Sequence, residues 1–336
     1  MPKLAPAPKN PAGPTPLRRP GSIRRTSTIS TAWPQGYGQP MLMTGQARDL
    51  LTPADGSAPR ITATGEFEIL ANQRREILSV SVQPDHTEVS HLVGHRGGGN
   101  LRATLAETLP NEKAAATPLY LLLDDYSGAS LVAGWVWSRW NPDWMITARA
   151  SGAAATAGRG GKMEGICTGF APGSSALNED GTGNIETQSA CPVPPLVNPA
   201  DPLGWHEMVV QTGVGMRRSR RLDVWIEDGK IQIDVAFQDS GTSPDGGRVA
   251  VHEYLVTAVA DLETRELLEL TPDPRILPYP ECPGAVANAQ RIIGSRLDDL
   301  RLRVLDLLPG TLGCTHLNDV MRSLADVPAL VATLRG

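Results

Sequence analysis

A weak internal repeat constrains this chain more than any single motif: segments of its first half return in the second, in the same order and at nearly constant separation. Arg24-Arg25, Gly36, the apolar run Met41–Met43 and Asp49 are answered by Arg220-Arg221, Asp228-Gly229, Ile231–Phe237 and Asp239. Glu76-Ile77-Leu78 with Pro84 is answered by Glu266-Leu267-Leu268 with Pro274. Gly94, Leu101-Arg102 and Leu109-Pro110 then return as Gly294, Leu300-Arg301 and Leu308-Pro309. Each match alone is trivial. Kept in order and in step, they point to two related halves built on one plan.

Local patterns fill in that plan. Leu222–Ile226 and Ile231–Phe237 flank Glu227-Asp228-Gly229-Lys230, a hairpin signal, because Asp-Gly readily supplies the positive φ angles of a tight turn. Arg248–Asp261 and Glu266–Leu270 read as two more strands. Gly284–Leu308 carries apolar residues at helical spacing with a break at Gly294, and Thr315–Ala325 reads as a further helix. The expected fold is α+β, with two pseudo-repeated halves of antiparallel strands followed by helices. The expected boundaries are a disordered or draped basic Pro-rich tail (1–22), an N-terminal half (23–149), a Gly/Ala/Pro-rich connection (150–204) with a short strand at Gly165–Phe170, and a C-terminal half (205–336).

Composition narrows the function classes. With 40% hydrophobic and 20% charged residues, the chain can bury an ordinary globular core. Its longest apolar stretches fall far short of the roughly 20 residues of a spanning helix, and no secretory apolar core opens it, so a soluble cytoplasmic protein is expected. Cys167, Cys191, Cys282 and Cys314 form no CxxC pair, which suits reduced thiols. The first 25 residues carry Lys3, Lys9, Arg18, Arg19, Arg24 and Arg25 without an acid, but they lack interleaved aromatic residues and precede an acidic body. Neither nucleic acid nor membrane is expected as a partner; a homodimer is compatible with the sequence.

The repeat also sorts scaffold from chemistry. Features shared by both halves read as architecture, whereas polar residues found in one half need another explanation. Between Pro274 and Gly294 the second half has gained ten residues relative to Pro84–Gly94, including Tyr279-Pro280-Glu281-Cys282-Pro283. After Leu308-Pro309 it carries Gly313-Cys314-Thr315-His316-Leu317-Asn318-Asp319, where the first half has neither Cys nor His. His252 alternates with Tyr254 and Val256 on an apolar strand face; a lone His there is more often a satisfied core residue than a ligand. Glu253 faces the other way and needs a partner, for which Arg265 or Arg217–Arg221 are at hand. Asp239 ends the inward row Ile231, Ile233, Val235, Phe237, although Asp49 in the matching place favours a structural role. Thr315 is a natural N-cap, which would set Cys314 just before a helix N-terminus, where a thiol pKa falls. The bland alternative is a small buried Cys314 and a surface His316.

Other signals are weaker. Arg217-Arg218-Ser219-Arg220-Arg221 could grip an anionic group, yet Arg24-Arg25 argues for scaffold. Trp135, Trp137, Trp140 and Trp144 could line an apolar pocket or a partner surface. Gly158–Lys162 lacks the Ser or Thr of a phosphate loop, and His252-Glu253 and His206-Glu207 lack the second His of a zincin motif.

Val251-His252-Glu253-Tyr254, Glu281-Cys282-Pro283 and Cys314-Thr315-His316-Leu317-Asn318-Asp319 resemble a bacterial family known as domain of unknown function 2889, over roughly Trp205 to Leu334. Arg24-Arg25-Thr26, Ala47-Arg48-Asp49-Leu50 and Leu121-Leu122-Leu123-Asp124-Asp125 look similar to its longer actinobacterial-type subgroup, with Gln238 standing where that subgroup would have Arg. The resemblance implies no activity.

These readings converge on one expectation and one rival. The first is an enzyme, a metal- or Cys/His-dependent lyase or hydrolase acting on a small catabolic substrate. Its catalytic residues would be Cys314, His316, His252 and Asp239, and zinc or another divalent transition metal would be held by His252, Cys282, Cys314 and His316. The rival is a non-catalytic ligand-binding or assembly protein in which the same residues brace the last helices.

Overall fold

The computed structural model describes residues 4–141, 143 and 162–336. β1 (Ser22–Ala32), β2 (Met41–Thr52), β3 (Arg60–Ala71) and β4 (Ile77–Gln83) form an antiparallel meander, and β6 (Gly215–Glu227), β7 (Lys230–Thr242), β8 (Arg248–Asp261) and β9 (Leu267–Ile276) form another. β1 pairs antiparallel with β6, joining the meanders into a nine-stranded sheet ordered β4-β3-β2-β1-β6-β7-β8. At the far edge of β8, β9 pairs along Glu253–Ala260 and the short β5 (Cys191–Val193) along Arg248–Ala250. The β6–β7 hairpin closes through Asp228 and Gly229, both at positive φ, the two-residue turn that Asp-Gly favours.

Each meander is followed by helices. After β4 come α1 (Gly99–Thr108), α2 (Pro110–Ala114), α3 (Pro118–Val132) and α4 (Trp137–Trp140). After β9 come α5 (Gly284–Ala289), α6 (Leu300–Leu307), α7 (Thr315–Ser323) and α8 (Val327–Arg335). Gly294, at φ +84°, breaks the apolar run between α5 and α6. Leu109 and Leu308 end α1 and α6 in nearly the same backbone conformation, each just before a proline. None of the helices described is long and apolar enough to cross a membrane.

The helical layer covers one sheet face with two hydrophobic cores. One joins Phe67, Ile69, Leu101, Leu119 and Tyr126 of the first half; the other joins Val235, Phe237, Tyr254, Leu317 and Met321 of the second. Between them runs a buried belt of charge. Arg25 pairs with Asp49 and Asp326, Arg220 with Asp125, and Arg301 with Asp124 and Asp326. A buried ion of this kind is tolerable only while paired and hydrogen-bonded, so the belt ties the halves into one geometry.

The opposite face is covered by the tail and by residues around 198–211. Pro8 and Asn10 hydrogen-bond β9 and its end, the Ala12 N–H donates to Glu253, and Arg18 grips Asp201. The disordered form of the 1–22 tail therefore gives way, from residue 4 onward, to the draped one. Its reason is hydrogen bonding: an extended Pro-rich strip offers carbonyls and N–H groups that composition does not reveal. The strand expected at Gly165–Phe170 is instead a short 3-10 turn, Thr168–Phe170. The remainder of the connection before Lys162, including Gly158–Gly161, lies outside the described residues, as does Trp144.

Candidate metal centre

Asp239 occupies an inward-facing place near the end of β7, where the register with β8 slips: Asp239 pairs with His252 but Ser240 with Ala250, leaving Val251 as the extra residue of a bulge. Its carboxylate is fully buried. Arg218 of β6 clamps it, Nε donating to Oδ1 at 2.9 Å and Nη2 to Oδ2 at 3.0 Å, while Nη1 donates to Asp319 of α7 at 2.9 Å. Gly128 of α3 makes room for this junction: a Cβ there would stand 2.1 Å from Arg218 Nη1 and 2.2 Å from Asp319 Oδ2.

Two imidazoles meet the same carboxylate. His252 Nδ1, from β8, and His316 Nε2, from the first turn of α7, each lie 3.5 Å from Asp239 Oδ2. The rings stack with centroids 3.4 Å apart and planes 20° apart. At 3.5 Å from Asp239 Oδ2, neither of these buried nitrogens completes a hydrogen bond of ordinary length. An ionised carboxylate offers about four lone-pair sites, and Arg218 takes one on each oxygen, so Oδ2 retains capacity toward the imidazoles. On the far side of its ring, His316 Nδ1 lies 3.3 Å from Thr315 Oγ1 and 4.0 Å from Cys314 Sγ, contacts that orient the ring and leave Nε2 to the shared point.

The electrostatics hold the trio in the protonation state a metal requires. Burial alone would raise the Asp239 pKa, but the Arg218 charge and hydrogen bonds outweigh it and hold the carboxyl below its ordinary range. Burial pushes His252 down despite Asp239 beside it. Burial and the neighbouring His252 push His316 down further. An ionised carboxylate beside two neutral imidazoles is a set of three donors when each ring carries its single proton on the nitrogen away from Asp239. Asp239, His252 and His316 each place one ligand atom within 4.8 Å of the others.

The cysteines stand differently from expectation. Cys314, not Thr315, is the N-cap of α7, and its side chain makes no capping hydrogen bond. Burial pushes its thiol up, against the lowering effect of the Leu317 and His316 N–H groups and the Tyr254 hydroxyl; the helix terminus is outweighed by desolvation. Cys282 does not join the imidazoles. It lies beside Cys167 across Gly169, where a Cβ would stand 2.7 Å from Cys282 Sγ and 3.8 Å from Cys167 Sγ. Burial and the nearby thiols raise Cys282, and they push Cys167 up to about 12. Of the expected ligands His252, Cys282, Cys314 and His316, the two histidines belong to the group that could hold a metal ion, with Asp239, and neither cysteine does. Sequence reasoning missed Cys167, which sits in the irregular connection without a pattern around it.

The arginine run is mostly scaffold. Arg218 and Arg220 serve the aspartate belt, and Arg221 pairs with Asp223 and Asp234. Arg218 pairs with Asp239 of the adjacent strand as Arg25 does with Asp49. Glu253 is satisfied by neither Arg265 nor the run: it accepts from the Gln238 amide at 2.8 Å and the Ala12 N–H at 2.7 Å.

Residues 216–330, which contain all three donors, match a family described as "Protein of unknown function (DUF2889)". No curated protein and no solved structure matched the chain.

Proposed function

We propose that the protein is a metal-dependent enzyme whose centre is Asp239, His252 and His316. The observation that carries this reading is the convergence of two buried imidazole nitrogens, neither completing a hydrogen bond of ordinary length, on one buried carboxylate oxygen. Leaving such nitrogens unsatisfied costs about 1–3 kcal/mol each, a cost that a shared metal removes. Two nitrogens and one oxygen suit zinc, iron or another divalent transition metal, and three protein donors leave a coordination position for water or substrate. When bound, such an ion supplies Lewis acidity or an activated water. Asp239 and the imidazoles would hold it, Arg218 would fix the carboxylate, and the Thr315 and Cys314 side chains would fix the His316 ring. The substrate proposed is a small carbonyl- or carboxylate-bearing molecule, turned over by a lyase or hydrolase.

A second reading rests on the buried grouping of Cys167, Cys282, Cys314 and Tyr254 beside His316. There the residues brace α7 on the sheet and no substrate is involved. Elemental analysis of the purified protein, and visible absorption after equilibration with cobalt(II), separate the two. About one equivalent of metal with tetrahedral or five-coordinate cobalt bands supports the enzyme reading; no metal taken up under either condition leaves the brace.

We infer in addition that the two meanders descend from a duplication and that the first half extends the matched family in a longer subgroup. Supporting this, Arg25–Asp49 and Arg218–Asp239 are like ion pairs between adjacent strands, and Arg75 and Arg265 hold like positive φ angles before the bridges Glu76–Arg96 and Glu266–Arg296.

A further inference from the structure

On the sheet face away from the metal centre, Arg217 and Arg248 stand without a counter-charge, and Arg48 on β2 donates only to the Leu203 carbonyl. Arg217 of β6 and Arg248 of β8 flank Ser240 of β7. Arg217 donates through Nε to Ser30 Oγ at 3.2 Å and through Nη2 to the Val209 carbonyl; Arg248 donates through Nε to Ser240 Oγ at 3.0 Å and through Nη1 to Gln211 Oε1 at 2.9 Å. Every one of these acceptors is neutral. Among the described residues no carboxylate forms an ion pair with either guanidinium, whereas Arg218, Arg220 and Arg221 of the same strand each have one. The residues outside the description, 1–3, 142 and 144–161, include no Asp or Glu in sequence.

The surroundings make the imbalance sharper. Burial lowers Arg217, and burial together with Arg217 brings Arg248 down to about 9. Nearby His206 is held neutral, at about 3, by burial, Arg48 and Arg217, and both its ring nitrogens are occupied by Thr26 and Thr28. Unpaired buried charge is among the most costly features a fold can carry. Arg218, Arg220 and Arg221 of β6 offset their burial with aspartates, and two neighbouring arginines that do not are a place for a ligand that brings the missing charge.

We propose that Arg217 and Arg248 form an anion site that takes a phosphoryl group. Two adjacent guanidinium groups carry a charge of two, which a phosphate dianion balances and a monocarboxylate does not, and each guanidinium retains N–H donors beyond those already used. Ser30, Ser240 and Gln211 hold the forks in place. The site is independent of the metal: it lies on the other face of the sheet and shares no side chain with Asp239, His252 or His316.

The test is a titration of the full-length protein with inorganic phosphate at constant ionic strength, read by calorimetry and by melting temperature, with acetate and chloride as parallel arms. The expected result is saturable phosphate binding with a rise in melting temperature, at least about tenfold weaker in Arg248→Gln and Arg217→Gln, and little response to acetate. Removing one like charge should leave the phosphate-free variants folded. Should they not fold, the wild-type arms still decide. An absent phosphate response in the wild-type protein overturns the proposal. So does an equal response to all three anions, which is salt screening, or a preference for acetate, which is a carboxylate site.

Discussion

The two halves place the same ion pair in different company. In the first, Arg25 of β1 grips Asp49 of β2, Asp49 pairs across the sheet with Ala63, and the second residue of α3 is Leu119. In the second, Arg218 of β6 grips Asp239 of β7, Asp239 pairs with His252, and the second residue of α7 is His316. Both strand pairs carry a register slip directly after the aspartate. The backbone device and the clamped carboxylate are common to both, and the imidazoles belong to the second alone. Such a difference separates what holds the sheet together from what does chemistry.

Removing either carboxylate should have the largest effect. Asp49→Ala and Asp239→Ala each leave a buried arginine with one of its two carboxylate partners and should cost about 3 kcal/mol in urea unfolding. They should part company in metal content, which Asp239→Ala loses and Asp49→Ala retains. Equal metal content in the two variants would break the comparison.

Copying the first half onto the second sharpens it. The double variant His252→Ala, His316→Leu should bind no metal and gain no melting temperature on adding zinc, while its metal-free stability changes by less than about 2 kcal/mol. A collapse of metal-free stability would instead identify the imidazoles as core packing.

Acid should act through the same residues. His252 and His316 are lowered in the folded protein, so between their folded values and the ordinary imidazole value near 6.5 the unfolded chain binds more protons. The stability they contribute is complete above about pH 6.5 and is lost as pH falls below it. Urea midpoints from pH 7 to 4.5 should fall more steeply for the wild-type protein than for the double variant, which retains only His206 of the three buried imidazoles with lowered values. Parallel curves would contradict the assignment of neutral imidazoles.

Much of this was legible in the sequence. The α+β class, the β6–β7 hairpin, the full extent of β8, the break at Gly294 and the helix after Thr315 follow from turn chemistry and periodicity. Asp239 and His252 were named from strand alternation, and His316 from the absence of Cys and His in the matching segment of the first half. What escaped was long-range: that Asp239 is a full member of the trio, that Cys282 turns toward Cys167, and that the tail crosses the far face. Each depends on which of several distant segments packs against a strand, and spacing along the chain does not carry that information. The helix-terminus argument for Cys314 failed for a related reason, since a local dipole was weighed without the burial that overrides it.

The smallest effect expected is at that thiol. Cys314→Ser should leave metal content unchanged and cost about 1 kcal/mol, with wild-type Cys314 slow to alkylate while the protein is folded. Loss of metal in this variant would return sulfur to the centre.

The central claim is that nitrogen and oxygen, not sulfur, hold a metal here, and X-ray absorption at the edge of the bound ion tests it most directly. With zinc, the account predicts a first shell of only nitrogen and oxygen scatterers at about 2.0–2.2 Å, including imidazole outer-shell features from two rings. A sulfur scatterer at about 2.3 Å would contradict it and move the metal to the cysteines.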